Sequence, residues 1–286
     1  MTANRAIIPS VPILRMPQLT ERQQHILAAV VREYVERAEP VASAELVAKY
    51  RLPYSPATVR NELVALDEAG FLMQPHTSAG RVPTDRGYRF FINHSLEREP
   101  ARSTRFARLD SARLAETSAR RAGGRSVRRA SEAEFDAAFA ALASAETPAE
   151  FLKQASRLMA ELTQNAVLAG IPDEDLFYKS GIGAVMQEPE FAEVPLLREF
   201  SALLDVLDDE IERMVAARLG ERAAPTEPRV FIGRENPIPE ARRYSMIISA
   251  CETPFGKEGV FALIGPTRMD YERNLAVFRS LRELFA

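Results

Sequence analysis

The 286-residue sequence contains no apolar run approaching the roughly 20 residues a membrane-spanning helix needs. Its start, MTANRAIIPSVPILRMPQ, lacks the apolar core and small-residue cleavage site of a secretion signal, so the cytoplasm is the expected location. Cysteine is nearly absent. Cys251 stands alone, which excludes an internal disulfide and a thiolate metal site built from this chain. Histidine is scarce too: His25, His76 and His94 all fall in or beside one N-terminal segment, without metal-ligand or triad spacing. Gly181-Ile182-Gly183 lacks the third glycine of a dinucleotide loop, and no Gly-Lys-Ser/Thr phosphate loop occurs. The acid pair Asp208-Asp209 reads as a solvated helix face. No metal, no cofactor and no enzymatic activity are therefore expected.

A net basic charge is missing as well, the formal total being -3, yet the distribution is uneven. Residues 1–18 carry two Arg and no acid, and residues 19–96 carry nine Lys/Arg against nine Asp/Glu. Residues 97–130 carry ten Arg against four acids, and residues 131–286 carry sixteen Lys/Arg against twenty-seven acids. An acidic C-terminal half is repelled by a polyanion, so contact with nucleic acid is expected only from the first 130 residues. Ordinary globular usage, 46% hydrophobic and 27% charged, supports buried cores, and the length suits two units. The expected division is an N-terminal extension (1–18), a first module (19–96), an Arg-rich linker (97–146) and a second unit (147–286).

In the first module, Thr20 followed by Gln23 is a capping-box pattern, and Ile26, Leu27, Val30, Val31 and Tyr34 recur at helical spacing, predicting a helix over residues 21–37. Pro40 stops it, and Ser43 is expected to cap a short helix SAELVAKY with Leu46 and Val47 inward. Ser55-Pro56 is a strong start signal for a third helix, PATVRNELVALDEAG, ended by Gly70. Its Val59, Leu63 and Leu66 share one face, leaving Ala57, Thr58, Arg60, Asn61 and Val64 elsewhere. FLM, the turn at Ser78-Ala79-Gly80 and VPTDRGYRFFI then suggest two antiparallel strands around an exposed loop.

Three helices and a hairpin spell a winged helix-turn-helix, whose third helix enters the major groove. Candidate DNA contacts are Ser55, Thr58, Arg60 and Asn61 on that helix, with Arg81 expected at the wing tip beside phosphates or the minor groove. Asn pairs two-pronged with adenine, Arg with guanine, and hydroxyls with phosphate oxygens. The competing reading is a winged-helix regulator or adaptor with a different target, controlled by a ligand or protein on the second unit.

Within the linker, Arg120, Arg121, Arg125, Arg128 and Arg129 read either as phosphate-neutralising groups or as a solvated tether. In the second unit, Thr147, Pro148 and Glu150 suggest a capped helix with an apolar stripe from Phe151 to Leu162. A longer helix is expected over about residues 195–219, bearing Leu196, Phe200, Leu203, Leu207, Ile211 and Val215. RVFIG, YSMIISAC and GVFALIGP read as strands, and Asp270 as the start of a last helix. The result is α+β.

Residues 19–96 resemble the N-terminal domain of the HrcA repressor family, most tellingly in EPVASAEL, SPATVRNEL and PHTSAGRVPTDRGYRF. Further matches are FIGRENPIPEARRYSMIISACETPFGKEGVFALIGPTRMDYERNLAVF and, more weakly, LFYKSGIGAVMQEPEF. The resemblance implies an α+β fold in which the winged helix precedes a reduced GAF-like domain. It implies a homodimer on an inverted-repeat operator in double-stranded DNA upstream of chaperone genes, with the GroEL chaperonin as a partner. Ser55, Thr58, Arg60 and Asn61 would lie on or beside the reading helix, and His76, Ser78 and Arg81 in the wing. Two departures stand out. Ala42-Ser43 replaces the family's usual Gly-Ser, and the central region with its dimerisation insert is drastically shortened, LMAELTQNAVLAG running almost directly into IPDEDLFYKSG.

Overall fold

The computed structural model describes residues 18–77, 79–98, 141–142, 144–216 and 228–284. Ser78 and the linker arginines from Arg120 to Arg129 lie outside the described residues. Among the described residues the chain is mixed helix and sheet, and no helix is long and apolar enough to cross a membrane.

Helix α1 (Glu21–Arg37) starts at a complete capping box: Thr20 Oγ1 accepts from Gln23 N at 3.3 Å, and Gln23 Oε1 accepts from Thr20 N at 3.1 Å. Helix α2 (Ser43–Tyr50) departs from expectation at its start. Ala42 is the N-cap and provides no side-chain hydrogen bond, while Ser43 already lies in the helix. The reason is tertiary. Val41 is extended and exchanges two backbone hydrogen bonds of 2.9 Å with Arg81, which sets where the chain turns into α2.

Helix α3 (Pro56–Glu68) is capped by Ser55, whose hydroxyl accepts from Thr58 N at 3.1 Å, and it buries Val59, Leu63 and Leu66. At its end Gly70 takes a left-handed φ of 76°. The Gly70 N–H then reaches Asp67 O and the Phe71 N–H reaches Leu66 O, satisfying carbonyls the last turn would otherwise leave unpaired. Strands β1 (Leu72–Met73) and β2 (Val82–Pro83) pair antiparallel. The expected longer second strand is overturned, because Thr84 terminates it. Its hydroxyl accepts from Gly87 N, and its carbonyl from Tyr88 N, opening helix α4 (Asp85–Arg98). Buried Tyr88, Phe91 and Ile92 sit at helical spacing, which outweighs the strand preference of the aromatic run.

The second unit begins with α5 (Pro148–Thr163), where Thr147 caps Glu150 N, although the Glu150 carboxylate accepts from Glu146 N rather than closing the box on Thr147. Then follow β3 (Ala166–Ile171), β4 (Leu176–Ser180), the short α6 (Ile182–Val185), α7 (Val194–Ala216), β5 (Arg229–Ile232), β6 (Tyr244–Glu252), β7 (Glu258–Pro266) and α8 (Tyr271–Leu284). The strands form one antiparallel sheet in the order β4-β3-β7-β6-β5. Strands β3 and β4 are additions to those expected. Every residue of AVLAGI is buried, so no apolar-polar alternation marks it.

Alternate residues of the sheet enter two cores. Val167, Ala169, Ile171, Ile247, Phe261 and Leu263 pack with α5, α8 and the helices of the first module. Leu168, Met246, Ile248, Ala262 and Ile264 pack instead under Phe200, Leu203, Leu207 and Ile211 of α7. Asp208 is not merely solvated, since Lys179 of β4 holds it at 3.0 Å.

Candidate nucleic-acid interface

The face of α3 opposite its buried stripe carries Ala57, Arg60, Asn61 and Val64, all exposed. Among the described residues, no ion pair or side-chain hydrogen bond engages Arg60 or Asn61. Ser55 and Thr58 are less free. Their hydroxyls lie 2.9 Å apart at the helix start and Ser55 Oγ also accepts from Thr58 N, so Ser55 has two partners and Thr58 one, each keeping capacity for another. Two of the three acidic side chains of α3 are held by arginines from other elements: Arg22 of α1 reaches Glu62 at 2.6 Å, and Arg81 reaches Asp67 at 2.8 Å.

The hairpin loop is braced from inside. Gln74 Nε2 donates to Thr77 O at 3.0 Å and to Ala79 O at 2.9 Å, and the Ala79 N–H bonds to His76 O. His76 is exposed on this loop. Gln74 was not a predicted site residue; the only hint is an amide next to a turn, where such side chains often tie backbone groups.

Arg81 is placed differently from its expected position at the wing tip. It lies at the base of the loop, directly before β2, its backbone paired with Val41 and its side chain with Asp67. Only 15% of that side chain is exposed. Next to it, a Cβ on Gly80 would overlap the Val41 backbone, so the hairpin approaches the α1–α2 connection as closely as it does only because residue 80 has no side chain. Of the predicted residues, the fold thus brings Ser55, Thr58, Arg60 and Asn61 onto one helix start and face, sets His76 on the adjoining loop, and turns Arg81 inward.

A family model described as the HrcA protein C terminal domain matches residues 111–275. A heat-inducible transcription repressor HrcA of Chloroflexus aggregans is 31% identical, with 93% of this chain and 92% of that protein covered. Its counterpart in Chloroflexus aurantiacus is 30% identical, with the same shares covered. The first alignment runs over 350 positions, longer than the 286 residues of the chain itself, so that relative carries sequence this chain lacks. A crystal structure described as that of a hypothetical protein superposes with a TM-score of 0.63 at 18% identity, covering 94% of this chain and 99% of that one, a likeness of fold alone.

Proposed function

The chain belongs to the HrcA family of heat-inducible transcription repressors, and we propose that it represses heat-shock genes by seating α3 in the major groove of an operator. The observation that carries this reading is the division of α3: Val59, Leu63 and Leu66 anchor it in the core, and the opposite face offers Arg60 and Asn61 to whatever lies outside. Arg is suited to the O6 and N7 acceptors of guanine, and Asn to N6 and N7 of adenine. Ser55 and Thr58, at the start of the helix, are suited to phosphate oxygens, with the helix N-terminus adding its partial positive charge. The hairpin is the wing, His76 its outward side chain, and the whole first module a winged helix-turn-helix.

In this reading the protein is cytoplasmic and binds double-stranded DNA as a homodimer on an inverted repeat, each copy reading one half-site. The second unit is a reduced GAF-like domain, and the GroEL chaperonin is its candidate regulator. A gel-shift titration against an inverted-repeat chaperone-promoter fragment tests the proposal. Selective, salt-sensitive binding is expected, and Asn61→Ala should cost about 1–3 kcal/mol on that fragment while leaving binding to random DNA nearly unchanged. Equal affinity for promoter and random DNA would defeat it.

A further inference from the structure

Arg81 invites assignment as a phosphate contact, being a cation on a wing, but its surroundings assign it another task. Its N–H and carbonyl both bond to Val41, at 2.9 Å each, so its backbone belongs to the junction between α1 and α2. Its Nε lies 2.8 Å from Asp67 Oδ2, on the last turn of α3. The neighbouring residue, Gly80, is pressed so tightly against the Val41 backbone that no side chain fits there. One residue therefore touches the helix pair, the reading helix and the hairpin at once. A side chain exposed by only 15% is poorly placed to reach a phosphate without abandoning its carboxylate.

We propose that Arg81 is a positioning residue: its ion pair with Asp67 fixes the wing relative to the face of α3. The assignment rests on the reading of α3 as a DNA-binding helix. Its physical logic is separable from that of a phosphate contact. Loss of a phosphate contact weakens binding to every sequence alike. Loss of the angle between wing and helix spoils the fit to the operator more than the weak attraction for random DNA.

The decisive variant is Asp67→Asn, which is isosteric and removes a negative charge from the DNA-facing module. On charge alone it should tighten binding to all DNA. If Arg81 positions the wing, Asp67→Asn instead weakens operator binding about fivefold, the upper end for a partly exposed ion pair, and lowers the ratio of operator to random-DNA affinity. Arg81→Ala should do the same, and the double variant should be no worse than the poorer single one, because the two changes break one interaction. Circular dichroism melts accompany each titration, and Asp67→Asn alone decides the matter if Arg81→Ala does not fold. Unchanged or tighter binding by Asp67→Asn on both DNAs would overturn the assignment alone, and so would an equal weakening of both by a folded Arg81→Ala. Absence of selective binding by the unaltered chain would overturn the reading of α3 and the assignment together.

Discussion

Cys251 occupies half-buried space near the end of β6, and burial, reinforced by the nearby Glu258 carboxylate, pushes its thiol up to about 12. Since the thiolate is the reactive form, this cysteine is chemically quiet in the folded protein. Alkylation at pH 8 should proceed at least about tenfold more slowly than in urea, as followed by mass spectrometry; equal rates would show that the thiol is not shielded. At the same scale, side chains on the exposed face of α3 were legible in the sequence. The spacing of Val59, Leu63 and Leu66 leaves Arg60 and Asn61 outside by elimination. Arg81 was not legible, because its partner Asp67 is fourteen positions away in the chain and nothing in either residue's neighbours announces the meeting.

Elements defined by local chemistry follow their sequence closely. The cap of α1 at Thr20, the cap of α3 at Ser55 and the stop at Gly70 each depend on groups within a few residues of one another. Elements decided by their neighbours do not. Helix α2 starts without a side-chain cap since Val41 is committed to Arg81, and β2 gives way to α4 because Tyr88, Phe91 and Ile92 find a core to enter. The hairpin shows the energetic side of this dependence. Gly80→Ala forces a methyl group into the Val41 backbone and should destabilise the first module by about 1–3 kcal/mol, the usual range for overpacking. A matching drop in unfolding temperature, together with weaker operator binding, is the expected result; a wild-type melt would mean that the hairpin can retreat at no cost.

Across the whole molecule, the two units are joined by charge as well as by a shared apolar core. Arg89 of α4 pairs with the Glu235 carboxylate through two nitrogens and donates to Val230 O at 2.6 Å. Arg32 of α1 meets Glu272 of α8 at 2.8 Å, Arg268 donates to Val35 O and pairs with Glu188 and Glu190, and the Tyr88 and Tyr271 rings lie 5.7 Å apart. Gly233 has a left-handed φ of 50°, and a Cβ there would displace the Asp85 carboxylate of α4 from its place beside Arg234 N. Arg89→Ala removes a mostly buried guanidinium and leaves Glu235 without it. A loss of about 2–3 kcal/mol is expected, somewhat below that of breaking a fully buried pair. Urea unfolding followed separately in the two units should show the loss, and an unchanged midpoint would mean that the apolar contact alone holds them together. By itself, the sequence determined the helices with local caps, the apolar stripes, the outward face of α3 and the uneven charge, because each is written within a few turns of chain. Only the tertiary structure decided where β2 ends, that β3 and β4 complete the sheet, where Arg81 points and how the two units dock. Those outcomes depend on groups far apart in sequence meeting in space, and periodicity carries no record of such meetings.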